Sequence, residues 1–307
     1  MAGPASTTRR LLRHLGWIRS QGLARLIEED ELNPLVELRR GARRRSWSRS
    51  HPVPPGGAMP VFVLGVQRSG TNMVMRGFRN SPRFEVFNEN DRRAFVDFRV
   101  RPVETLNRLV VASRSQFVVF KPLCDSHRAV ELLEQVGHRT PPRALWVFRN
   151  VDDRARSALA KFGDANLRAL RTIAAGQGDD LWQAGGLSPG SRQLLESFDY
   201  TALTAADAAA LFWFLRNSLY FELGLDRRPD VLAVSYDGLV ASPEPVLRRV
   251  CDFLGCPWDP GLSEHISRRS AGGRRLELDD RIRTLCDGLQ SRFDALDGAA
   301  AARGDAG

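Results

Sequence analysis

The chain has 307 residues, 43% hydrophobic and 26% charged, with a formal charge of +9 and a pI near 10.3. These values describe a globular protein long enough for a sizeable core and exclude a disordered or fibrous one. Four cysteines (Cys124, Cys251, Cys256, Cys286) form no CxxC pair and five scattered histidines form no HxxxH face, so neither a disulfide framework nor a metal site is expected.

The basic excess favours anionic partners, and much of it precedes residue 55, in Arg9–Arg10, Arg39–Arg40 and Arg43–Arg44–Arg45. Within residues 7–27, Leu11, Leu12, Leu15, Ile18 and Leu23 fall near helical spacing with arginines between them. That pattern predicts a basic amphipathic helix, packed on the main domain or lying on an acidic surface. Arg9, Arg10, Arg13 and Arg19 interrupt any signal-peptide apolar run. No stretch approaches the roughly 20 apolar residues of a spanning helix. The expectation is a soluble, cytoplasmic protein, with peripheral membrane contact left open to the basic helix. Residues 51–60 (HPVPPGGAMP) read as a boundary, which divides the chain into a basic, partly helical extension (1–55), a main domain (56–298) and a frayed tail (299–307).

From residue 60 the pattern alternates. Short apolar runs at 61–66, 117–120 (FVVF), 144–148 (ALWVF) and 231–235 (VLAVS) read as buried strands. Helical stretches follow them, among them about 71–79 and around 243–254, and residues 205–223 read as a helix against the core. The predicted fold is α/β, a P-loop-type parallel sheet flanked by helices on both faces, preceded by the basic helical extension.

The sharpest local feature is Gly65-Val66-Gln67-Arg68-Ser69-Gly70-Thr71-Asn72, between the first strand and its helix. A turn there aims backbone N–H groups and a positive helix end at an anion. Gly70 lets the backbone approach a phosphate, and Ser69, Thr71 and Asn72 add side-chain donors. A nucleotide-triphosphatase loop needs lysine directly after its second glycine. Here that position is Thr71, and the cation, Arg68, precedes the glycine by two residues. A second element, Arg149 at a strand end with Ser157 eight residues on, lets a guanidinium and a hydroxyl converge on one phosphate. Lys121 leaves a buried strand end and needs an anion or solvent.

Together these segments resemble the PAPS-dependent sulfotransferases, the bacterial and carbohydrate-type members especially. The loop is similar to their 5′-phosphosulfate loop, and Arg149 with Ser157 to their 3′-phosphate motif. Val234–Glu244, followed by Cys251–Gly255, is similar to their late strand, its Tyr-Glu-x-Leu turn and the Pro-Glu helix start; Asp237 stands where glutamate is commoner. The resemblance implies 3′-phosphoadenosine-5′-phosphosulfate (PAPS) as co-substrate without a metal, held by Gln67, Arg68, Ser69, Gly70, Thr71, Asn72, Arg149 and Ser157, with Tyr236 beside the adenine. It implies Arg268 and Arg269 as further 3′-phosphate contacts in a closing loop. Arg68 and Lys121 would stabilise the transferred group, and Glu89, in Phe87-Asn88-Glu89-Asn90, would be the base, with Asp91 and His127 as alternatives. The implied acceptor is a small molecule, lipid or glycan bearing a hydroxyl or amine, not a nucleic acid. Two other readings stay open: a nucleotide phosphotransferase or phosphohydrolase with an atypical P-loop, in which Asp237 would be a strand-end Mg²⁺ ligand, and a noncatalytic anion- or membrane-binding protein. Segments 91–115 and 162–204 carry no readable acceptor code, and oligomeric state is not legible.

Overall fold

Apolar residues stand next to one another along the central strands because the sheet is covered on both faces. The computed structural model describes residues 34–267 and 272–304. Among the described residues seven strands run β1 (Met59–Gly65), β2 (Phe84–Phe87), β3 (Phe95–Val96), β4 (Arg99–Val100), β5 (Phe117–Phe120), β6 (Arg143–Phe148) and β7 (Val231–Ser235). Five of them form an all-parallel sheet in the order β2-β5-β1-β6-β7, while β3 and β4 pair separately and antiparallel. Val61 and Val63 face one side with Val119, Leu145, Val147 and Val234, and Phe62 and Leu64 face the other with Phe120, Trp146 and Phe148. This is the period-2 alternation of a strand with an apolar layer on each side.

The helices are α1 (Pro34–Ser50), α2 (Thr71–Asn80), α3 (Val103–Ala112), α4 (Ala129–Gln135), α5 (Val151–Phe162), α6 (Ala165–Ala174), α7 (Pro189–Glu196), α8 (Ala205–Glu222), α9 (Tyr236–Ala241), α10 (Pro243–Leu254) and α11 (Asp280–Gly304). Helix α2 packs on the Val61 face through Val74, Met75 and Phe78, and α10 joins it through Leu247, Val250 and Leu254. Opposite them lie α8 and α11, whose Ile282, Leu289 and Phe293 are buried. A capping box between Thr204 and Asp207 starts α8. Trp213 of α8 donates its indole N–H to the Arg149 carbonyl at 2.8 Å, fixing α8 against the turn that leaves β6.

Along the chain β1 leads to β2 on one side, whereas β6 leads to β7 on the other. The neighbouring ends of β1 and β6 therefore diverge, which makes them the switch point at which parallel α/β sheets form ligand crevices. Residues 65–70 and Arg149–Asn150 leave the sheet there.

The helix expected over residues 7–27, together with Arg268 and Arg269, lies outside the described residues. Part of the basic run in α1 has a structural use: Arg40 donates to Asn80 Oδ1 and Arg43 to the Asn80 carbonyl. They stand at the C-terminus of α2, where cations are favoured. Among the described residues no helix is long and apolar enough to cross a membrane.

Candidate active site

The loop after β1 turns twice through the left-handed region, at Arg68 (φ 72°) and Gly70 (φ 88°). An arginine there costs about 1–2 kcal/mol, so the loop's shape is held by its surroundings. Ser126 is a first brace: Gly65 donates its N–H to Ser126 Oγ, which donates back to the Gly65 carbonyl. At Gly70, a Cβ would stand 2.0 Å from Tyr236 Cδ2, so the residue must be glycine for the ring to lie where it does. Gly70 is also the N-cap of α2 and supplies no side-chain hydrogen bond to the helix's first turn, the arrangement that suits an anion. Ser69 is fully buried, and its Oγ has no hydrogen-bond partner.

Arg149 and Ser157 come to this same loop. Arg68 donates from Nε to Ser157 Oγ at 3.0 Å. The Arg149 guanidinium lies 4.5 Å from the centroid of the Tyr236 ring, the ring that packs on Gly70. A cation over an aromatic face is held attractively. Asp153 is 3.7 Å from Arg149 Nη2, while Arg149 Nε is buried without a partner. Ser69 Oγ, next to Gly70, and Arg149 Nε, on the guanidinium over Tyr236, are two orphaned donors that a ligand with two separated anionic groups would satisfy. The residues present thus fit a nucleotide bearing phosphates at both ribose ends.

The turns after β6 and β7 are joined by a brace that spacing alone does not reveal. Asp237 accepts from the Asn150 backbone N–H at 2.8 Å and from Asn150 Nδ2 at 2.9 Å. Asn150 also caps α5 by accepting from the Asp153 N–H, a role its position three residues before an acidic residue does signal. Burial raises the Asp237 pKa, against the lowering effect of Asn150's hydrogen bonds. Both Asp237 oxygens are thus engaged in fixing Arg149's turn to Tyr236's turn, a role distinct from the strand-end Mg²⁺ ligand considered above. Asp153 accepts from the Gly272 and Gly273 N–H groups, tying that segment to α5; its carboxyl is held below the ordinary range by Arg156 and Asn150 against the cost of burial.

On the other side of β1, Lys121 leaves β5 and is only 5% exposed. Its Nζ donates to Asn72 Oδ1, on the first turn of α2, and pairs with Glu89 at 3.4 Å. Burial raises the Glu89 pKa, while the charge and hydrogen bond of Lys121 pull it down. The alternatives stand differently. Asp91 accepts two hydrogen bonds from the Arg93 side chain and one from its N–H; although burial raises its pKa, Arg93 brings it below the ordinary value. His127 packs against Gly185 and Gly186, and burial with the nearby Arg216 charge pushes its pKa down to about 4. Of the three, Glu89 alone is ion-paired to Lys121.

Comparison with known proteins places this chain in a family. Residues 59–271 match the family described as "Sulfotransferase domain". No curated protein sequence matches the chain. Among solved structures, the sulfotransferase domain from the curacin biosynthetic pathway is 13% identical with a TM-score of 0.44, over 76% of this chain and 98% of that one. The sulfotransferase domain from the Synechococcus PCC 7002 olefin synthase is 14% identical with a TM-score of 0.42, over 76% of this chain and 95% of that one. Sulfotransferase STF9 from Mycobacterium avium is 14% identical with a TM-score of 0.39, over 79% of each chain. Since the family match spans β1 to the loop beyond α10, more than half of its length, the chain belongs to the sulfotransferase family and is a transferase of α/β fold.

Proposed function

We propose that the protein transfers the sulfuryl group of PAPS to a hydroxyl or amine acceptor by in-line displacement. The observation that carries the reading is the meeting of Arg68 with Ser157 beside a tyrosine shared by Gly70 and Arg149. It gathers one anion cradle and one further cationic subsite around a single flat ring. In this reading the loop 67–72 receives the 5′ end of the nucleotide and Arg149 and Ser157 receive the 3′-phosphate, to which the family resemblance adds Arg268 and Arg269.

The donor, when bound, supplies an activated sulfuryl group whose transfer leaves charge growing on the departing oxygen, as in phosphoryl transfer. The chain's part is positioning and electrostatics. Arg68 stays protonated at any working pH and acts as a fixed cation, not a proton donor. Burial raises the Glu89 pKa against the pull of Lys121, which links Glu89 to Asn72 at the loop helix. Glu89 takes the acceptor's proton as its nucleophile attacks, the task for which a carboxylate with a raised pKa is suited. None of these roles calls on a metal ion. Residues 56–298 form the catalytic domain in this reading; residues 1–55 are a basic extension able to contact an acidic surface, and the acceptor is a small molecule, lipid or glycan met in the cytoplasm.

Incubation with ³⁵S-labelled PAPS, a chelator and pooled hydroxylated metabolites, glycans and lipids tests the proposal. Label should move to an acceptor with wild-type protein and not with Glu89→Gln. Failure to transfer label to any acceptor, with ATP bound in preference to adenosine 3′,5′-bisphosphate, would return the reading to a nucleotide phosphotransferase.

A further inference from the structure

In α1 the arginines at 39, 40, 43 and 44 recur at i and i+4, so two pairs share one side of the helix. Together with the C-terminal end of α2 and the edge strand β2, they border a cavity of about 480 Å³. Six arginines line it, these four with Arg79 and Arg93, against three carboxylates, Glu85, Asp91 and Glu264. Arg93 already engages two of the acids, at 2.7 Å from Asp91 and 3.8 Å from Glu85. Ser81 lines the same cavity and is 2% exposed, and its hydroxyl has no hydrogen-bond partner among the described residues.

The end of α2 accounts for only part of this charge. A helix C-terminus carries roughly half a negative charge, and the side-chain contacts to Asn80 there come from Arg40 and Arg43, with none from Arg39 or Arg44. A cleft lined mainly by one sign of charge concentrates counter-ions, and guanidinium forks match the oxygens of sulfate and phosphate. The volume suits a compact ligand. A bilayer surface, being flat, does not fill a concavity walled by two helices and a strand. The phosphate loop lies at the other end of α2, whose ten residues separate the two places by roughly 15 Å.

We propose that this cavity is a second anion site, distinct from the phosphate loop, for a compact soluble molecule bearing several sulfate or phosphate groups. The arginines on α1 supply the charge, and the Ser81 hydroxyl donates to one anionic oxygen. The assignment does not depend on what the phosphate loop binds.

The test titrates the full chain with myo-inositol hexakisphosphate and with myo-inositol hexasulfate, at about 0.15 M salt so that remote charges are screened. Three variants are compared: the Arg39→Gln, Arg44→Gln double, the Arg45→Gln, Arg49→Gln double, which loses the same charge from α1 outside the cavity, and Ser81→Ala. The first should bind both compounds about 10- to 100-fold more weakly, and the second should stay within about threefold of wild type. Ser81→Ala should lose about three- to tenfold with no fall in thermal midpoint, because the hydroxyl it removes has no partner to leave behind. Saturating adenosine 3′,5′-bisphosphate should displace neither compound. Equal losses in the two doubles would reduce the cavity to diffuse basic charge and overturn the inference. So would wild-type binding by both cavity variants, displacement by the bisphosphate, or binding to phosphatidylglycerol vesicles without binding to either inositol compound. If wild type does not bind the bisphosphate, the nucleotide reading fails while the three variants still decide the cavity.

Discussion

The two halves of the sheet's C-terminal edge are built by different means. On the side of β1, β6 and β7, the site is fixed by backbone shape and by hydrogen bonds between motifs: the left-handed turn at Gly70 under Tyr236, the Asn150–Asp237 pair and the Arg68–Ser157 contact. On the side of β5 and β2, position depends on ions: Lys121 with Glu89, and fully buried Asp125 with Arg99. A rigid cradle suits a donor that never changes. A side held by charges can alter its protonation, which is what removing a proton from an acceptor requires.

The contrast is broken most severely at Gly70. Gly70→Ala puts a methyl into the Tyr236 ring at a backbone angle that alanine resists. Affinity for adenosine 3′,5′-bisphosphate should fall by more than about 100-fold, equivalent to some 3 kcal/mol, with a lowered thermal midpoint. Calorimetric titration and a melt read both; wild-type affinity in the alanine variant would mean that the ring and the turn are not coupled.

On the ionic side, Glu89→Gln should lower kcat by about 10²–10⁴-fold while leaving nucleotide affinity within a few-fold. Because burial raises the Glu89 pKa above 4.5, the wild-type rate should climb with pH over an interval displaced upward from that of an ordinary glutamate. The glutamine variant should lose that limb. An unchanged pH profile would assign the proton to another group.

Asp237→Ala tests whether hydrogen bonds between motifs matter to the cradle. It leaves two Asn150 donors without their acceptor, which should cost about 1–3 kcal/mol of stability and roughly tenfold in nucleotide affinity as Arg149's turn loosens from Tyr236's. Loss of stability alone, with affinity intact, would show that the brace serves the fold and not the site.

The smallest effect concerns pH alone. His127 has its pKa depressed from 6.5 to about 4 by burial and by Arg216, so the unfolded chain takes up its proton before the folded one does. Its contribution to stability is whole above about pH 6.5 and declines as pH falls toward 4. Denaturation midpoints across that window should fall more steeply in wild type than in His127→Gln. Parallel curves would remove His127 from the account.

The same division governs what was legible in the sequence. Strands at 117–120, 144–148 and 231–235 and the helix at 243–254 were readable because both sheet faces are buried and turn residues bound each run. The loop was readable because its chemistry is contiguous, and Arg149 with Ser157 because a strand end and a position about two turns into the next helix keep a fixed spacing. Gly65's partner Ser126 and the Asn150–Asp237 brace were not, since each joins residues more than sixty positions apart and nothing local signals the pairing. Glu89 was named by likeness, not by chemistry; its nearness to Lys121 depends on β2 and β5 lying side by side.

The account turns on a ribose-phosphate subsite made by Arg149 and Ser157 beside the glycine loop. Calorimetry with adenosine 3′,5′-bisphosphate and adenosine 5′-monophosphate, on wild type and on the Arg149→Ala, Ser157→Ala double variant, measures it directly. Wild type should favour the bisphosphate by about 10- to 100-fold, the worth of one or two charged hydrogen bonds, and the double variant should bind the two ligands alike. Equal binding of both by wild type, or a preference that survives the double variant, would contradict it.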